Sequence, residues 1–213
     1  MQFSEFIKTI SKIEHLELPG EEIHLKMVPI KRILELKKQR QQNKNPKQSG
    51  VLVLFYPNDQ EEIHLVLILR TAYNGIHSSQ VGFPGGKFEK EDKSLKQTAL
   101  REAHEEVGVL PKSVKVLKKL SQVYIAPSNF MVQPYFGITK TTPKFAPDKN
   151  EVETIIEVSL SHFMDDSVLV TKTLSTSYVS EIEVPAFLLN GHVVWGATAM
   201  ILNEVRFLLK SLF

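Results

Sequence analysis

The 213-residue chain has 42% hydrophobic and 23% charged residues, enough apolar side chain for one substantial core, or at most two small ones. Its formal charge of +2, from 26 Lys and Arg against 24 Asp and Glu, is too near balance for a general nucleic-acid or membrane-surface binder. The absence of cysteine excludes disulfides, thiolate nucleophiles and cysteine-ligated zinc, and agrees with a reducing compartment, for which the cytoplasm is the expectation.

The opening stretch MQFSEFIKTISKIEHLELPG lacks the basic start and apolar run of a secretory signal, and no segment approaches the ~18 uninterrupted apolar residues of a membrane span. Phe3, Phe6, Ile7, Ile10 and Ile13 recur with helical spacing, and Val28, Ile30, Ile33, Leu34 and Leu36 predict a second helix starting near Pro29. The polar run Lys37 to Gly50 reads as a frayed helix end followed by a loop. Residues 1–48 are therefore expected to form a helical extension packed on or near the core, as a cover for the sheet, a homodimer contact or a wall of the site. Residues 49–213 are expected to form the main domain.

From Val51 the texture changes to strands: VLVLFY, IHLVLILR (Ile63 to Arg70), VKVLKKLSQVYI (Val114 to Ile125), FMVQPYFGI (Phe130 to Ile138) and VETIIEVSL (Val152 to Leu160). Their continuous apolar runs predict a sheet covered on both faces. Asn190-Gly191 between apolar runs predicts a hairpin, and Ala197 to Leu212 a closing helix. Helices at both ends of a mixed β core imply an α/β/α sandwich.

Between Asp92 and Gly108 the pattern is again helical, with Asp92 or Ser94 as N-cap and Gly108 just past the C-terminus. At ~100° per residue, Glu102, Glu105 and Glu106 share an arc of roughly 100°, with Leu100, Ala103 and Val107 opposite. Such a ridge is unfavourable alone, because like charges at i,i+3 and i,i+4 repel and acids in the last turn oppose the helix dipole. A divalent cation reverses that account, and oxygen-only ligands suit Mg²⁺ or Mn²⁺ rather than zinc. The preceding Phe83-Pro84-Gly85-Gly86 supplies a rigid proline and two glycines that let backbone approach a ligand closely.

Gly86, then Arg101-Glu102-Ala103-His104-Glu105-Glu106-Val107-Gly108-Val109, resembles the box of the Nudix hydrolases. Asp92 stands at the usual glutamate position, with eight rather than seven residues before Arg101. Both departures resemble the coenzyme A pyrophosphatase branch, as do Leu67 to Thr71, His77 and Gln80-Val81-Gly82-Phe83-Pro84-Gly85-Gly86. Ser79 and Gly75 depart from that branch's signature.

The resemblance implies a Nudix-fold α/β/α sandwich with a mixed central sheet and additional N-terminal helices. It further implies that Glu102, Glu105 and Glu106 hold Mg²⁺ or Mn²⁺ with Arg101 orienting them, and that the substrate is a small molecule carrying a nucleoside diphosphate. Arg70, His77, Gln80, Gly85 and Gly86 are the substrate-binding candidates, and Glu105, Glu151 or Glu153 the general base. Asp92 is expected to cap the helix, His104 to pack, and Trp195 to serve as a core or interhelix anchor. Coenzyme A or its acyl derivatives lead the expected substrates, ahead of ADP-ribose, dinucleotides and nucleoside triphosphates; a non-catalytic nucleotide sensor is the alternative of another class.

Overall fold

The computed structural model describes residues 2–42, 45–71, 80–176 and 179–213. Three helices come first: α1 (Phe3–Ile10), continued by a 3₁₀ turn at Ser11–His15, then α2 (Glu21–Leu25) and α3 (Ile30–Gln42). The core strands are β1 (Lys47–Pro57), β2 (Ile63–Arg70), β3 (Val81–Gly82) and β4 (Gly85–Lys87). After α4 (Leu95–Val107) come β5 (Lys115–Lys119), β6 (Val123–Ile125), β7 (Phe130–Ile138) and β8 (Val152–Ser159). The short α5 (Leu160–Met164) leads to a hairpin unit, β9 (Leu169–Thr176), β10 (Val179–Leu189) and β11 (His192–Val194), and α6 (Gly196–Lys210) follows.

The main sheet runs β3-β2-β1-β7-β5, with β4 on β1, β6 on β7 and β8 on β2. It is mixed because β1 and β7 lie parallel, whereas β2 and β4 pair antiparallel with β1. Alternation along β1 explains the two-faced core: Val53 and Phe55 join one apolar cluster, Leu52, Leu54 and Tyr56 the other. The first cluster takes Phe6 and Ile10 of α1 and Leu202, Val205 and Leu209 of α6. The second takes Ala99, Ala103 and Val107 of α4. Helices therefore cover both faces, giving the expected α/β/α sandwich.

Several local expectations change. The run Val114 to Ile125 is two strands, β5 and β6, that follow the same edge of β7 in the same direction, because the register slips by one residue between Lys119↔Tyr135 and Val123↔Val132 and interrupts the ladder. Helix α3 continues to Gln42, and β1 is already paired at Lys47, so little loop separates them. Its apolar periodicity also misleads, since Ile30 and Leu34 are 87% and 82% exposed and no α3 residue is fully buried. The β9 strand was not visible in the sequence because its outward Thr171, Lys172 and Thr173 obscure any apolar pattern. The Asn190-Gly191 turn is as expected, with both residues at positive φ, 49° and 82°.

Two fastenings shape what lies around the glycine loop. Gly50 is where α4 crosses β1, since a Cβ there would run into the Leu95 carbonyl. On the other face, buried His24 of α2 contacts Glu204 of α6 at 2.9 Å, and the second Glu204 oxygen accepts from the Ser121 N–H. Glu204 thereby ties the extension and the β5–β6 connection to α6.

Candidate active site

The Ser94 hydroxyl caps α4 by accepting from the Gln97 N–H, and Gly108 ends the helix at φ 77°. Asp92 does other work. It is buried and accepts from Arg101 through both carboxylate oxygens (Nε to Oδ1 3.1 Å, Nη2 to Oδ2 3.0 Å), and also from the Thr98 hydroxyl and the Glu89 N–H. The Arg101 guanidinium holds the Asp92 carboxyl down at about 2. The longer spacing between these residues thus forms a bidentate clamp that fixes Arg101.

From that clamp Arg101 reaches Glu105 (Nη1 to Oε2 2.8 Å), Glu102 (Nη1 to Oε1 3.0 Å) and the Lys87 carbonyl (3.2 Å). One side chain therefore registers two of the three glutamates against the glycine loop. Gly86 lets the Glu102 carboxylate lie against the loop, because a Cβ at that position would overlap the carboxylate and push it aside. His104 is exposed rather than packed.

The three glutamates do not form one solvated ridge. Glu106 is 1% exposed, beneath the loop, accepting from the Gly85 N–H at 2.7 Å and facing Arg70 Nη2 at 3.1 Å. The helical wheel grouped it with Glu102 and Glu105, but the glycine loop folds over that flank. Arg70 also donates to the Gly85 carbonyl at 2.8 Å, so the strand end, the loop and the carboxylate are linked. Burial pushes the Glu106 carboxyl up to about 7 against the opposing pull of Arg70 and the Gly85 N–H, with Glu102 and Glu151 adding to the rise. Burial likewise raises Glu102, opposed by Arg101.

Among the described residues no three acidic or histidine side chains are gathered into a finished metal-ligand set. The donor chemistry nevertheless fits a hard cation. Glu106 Oε1 is buried with only the ion-pair contact to Arg70 Nη2 and no aligned hydrogen bond, Glu102 stands under Gly86, and both residues line one cavity of about 1210 Å³. Glu105 is exposed, turned to Arg101, and outside that lining.

The cavity also brings in Glu151, Gln80, Arg70, Gly85 and Gly86. Backbone bonds explain the meeting: the Arg70 N–H donates to Gln80, and the Thr71 N–H to Glu151, at the end of β2. Glu153 is exposed and not a lining residue. His77 lies outside the described residues. Arg32, Leu36 and Gln39 of α3, buried Tyr124 and half-buried Trp195 also line it; the sequence offers residues 1–48 as a wall of the site but singles out none of these α3 residues for it. No spacing rule signals that wall, because it is assembled from distant segments.

The NUDIX domain family model matches residues 46–170, a span that holds β1, the glycine loop, α4 and Glu151. The chain belongs to the Nudix family. A mitochondrial Nudix hydrolase of Arabidopsis thaliana is 35% identical over 57% of this chain and 43% of its own length. A peroxisomal coenzyme A diphosphatase of Caenorhabditis elegans is 30% identical over 65% of this chain and 59% of its own. The chain thus spans less than two thirds of either relative. Among solved structures, the Nudix hydrolase RenU from M. smegmatis superposes with a TM-score of 0.54 at 13% identity, covering 79% of this chain and 88% of that one, which supports the Nudix fold. No helix among the described residues is long and apolar enough to cross a membrane.

Proposed function

We propose that this Nudix protein is a divalent-cation-dependent pyrophosphatase that cleaves the diphosphate bridge of coenzyme A or acyl-coenzyme A to 3′,5′-ADP and (acyl-)phosphopantetheine. The observation that carries the reading is the convergence of Glu102, buried Glu106 and Glu151 on a single cavity beside Arg70. Coenzyme A is favoured over ADP-ribose, dinucleotides and nucleoside triphosphates by the C. elegans relative and by a cavity larger than a typical small-ligand site of roughly 300–1,000 Å³. The cysteine-free composition favours the cytoplasm as its compartment.

Glu102 and Glu106 would hold Mg²⁺ or Mn²⁺, with Glu105 as a further ligand after leaving Arg101. When bound, such a cation supplies positive charge to the diphosphate oxygens and acidifies water. Arg70, paired with Glu106, offers a guanidinium to a substrate phosphate oxygen. Gln80 and the Gly85–Gly86 backbone would position the substrate, with His77 retained as a candidate on its motif alone. Glu151 takes the proton of the attacking water as a phosphorus–oxygen bond of the anhydride breaks. Arg101, clamped by Asp92, keeps Glu102 and the loop in register.

The test is hydrolysis of coenzyme A, ADP-ribose, NADH and dinucleoside polyphosphates, each with Mg²⁺, Mn²⁺ or EDTA, products resolved by chromatography. Metal-dependent release of 3′,5′-ADP, strongest from coenzyme A, is expected. Glu151→Gln is expected to lower kcat by roughly 10²–10⁴-fold, the usual contribution of a general base. Metal binding with no turnover of any substrate would favour a non-catalytic nucleotide sensor instead.

A further inference from the structure

Among the described residues three cationic side chains line the cavity: Arg70, Lys87 and Arg32. Arg70 is taken up by Glu106 and the Gly85 carbonyl, and Lys87 belongs to the glycine loop beside Gly86. Both therefore sit with the carboxylates at the reacting end. Arg32 comes from a separate segment, α3, and its commitments are weak. Its closest carboxylate oxygen, on Glu35, lies 3.7 Å away, beyond hydrogen-bond length, and among the described residues its side chain donates no hydrogen bond. Glu35 is itself engaged by Gln39 at 3.1 Å. Apolar Val28, Pro29 and Leu36 line the cavity beside it, lowering the local dielectric and strengthening any charge pair formed there.

We infer that Arg32 forms a second anion subsite, which binds a phosphomonoester carried by the substrate's nucleotide, away from the diphosphate that is cleaved. The assignment rests on the coenzyme A reading, since coenzyme A carries a ribose 3′-phosphate in addition to its diphosphate. A guanidinium suits the task because its planar fork matches phosphate oxygens in pairs and its charge persists at every working pH. Arg32 is then a specificity-determining residue supplied by the N-terminal segment, outside the 46–170 span of the family match.

The experiment measures binding of 3′,5′-ADP and of 5′-AMP by calorimetry to the full chain and to Arg32→Gln and Arg32→Lys, with circular dichroism melts to verify folding. The parent protein is expected to prefer 3′,5′-ADP by tenfold or more, Arg32→Gln to bring that ratio near one, and Arg32→Lys to keep part of it. Equal affinity of the parent for the two nucleotides, or the same ratio in Arg32→Gln as in the parent, overturns the subsite. Hydrolysis of coenzyme A and of its 3′-dephospho form is followed in parallel. If neither is cleaved while the Arg32-dependent preference persists, the substrate reading fails and the subsite stands.

Discussion

At the scale of single residues, the site is governed by which carboxylates are neutralised and how. Asp92 is pinned by Arg101, and its carboxyl falls from the ordinary 3.8 to about 2. A depressed acid stabilises the fold fully above its unfolded value, and that contribution is lost as pH falls through the folded one. Between pH 3.8 and 2 the parent should therefore lose about 2 kcal/mol from this group, whereas Asp92→Asn should lack that part of the acid slope. Urea midpoints across this range measure it, and parallel slopes would show that the clamp does not carry the effect. Glu102 and Glu105 were identifiable from the box, but the burial of Glu106 was not, because helical periodicity places a side chain around its own axis and says nothing about a loop that folds over it. Arg32 was equally hidden, since a lone arginine on a basic helix looks like a solvated charge.

At the scale of elements, strands with long apolar runs were legible nearly to the residue. Ile63–Arg70 and Phe130–Ile138 are bounded as expected, being buried on both faces and ended by charge or turn residues. Helix α3 shows where pattern fails: only Ile33 and Leu36 reach the core, and only in part because the cavity borders the helix, while Ile30 and Leu34 face outward. This wall is fastened by the partly buried Ile33 and Leu36 and, one helix earlier, by the α2–α6 contact through His24 and Glu204. His24→Ala leaves a buried Glu204 oxygen without its partner and should cost about 2–3 kcal/mol in a urea melt. Glu204→Gln, which can still bond both neighbours, should lose less than half as much. A His24→Ala protein as stable as the parent would mean that the helices are held by apolar packing alone.

At the scale of the whole molecule, burial disfavours the ionised Glu102 and Glu106, and a cation beside them should offset that cost. Saturation at ~100 times the dissociation constant adds about 2.7 kcal/mol, which for a chain of this size is roughly 5–10 °C in Tm. Mg²⁺ or Mn²⁺ should therefore raise Tm over EDTA by that amount, and Glu102→Gln should remove most of the gain. Because Glu106 titrates near 7, the cation must displace a proton from it below that pH. The thermal gain should be full above pH 7 and shrink as pH falls; a gain that is flat from pH 8 to 5.5 would take Glu106 out of the ligand set.

The bond between His24 and Glu204 spans 180 positions of the chain. It also sets an order of assembly. Helix α4 and the glycine loop need only residues up to about the middle of the sequence to meet, whereas the His24 tie needs α6 in place. A truncation before Gly196 would keep every glutamate of the box while removing Glu204 and the α6 residues Met200 and Ile201 that line the cavity. Loss of nucleotide binding in such a truncation, with the box intact, would show that the last helix shapes the site from the far end of the chain.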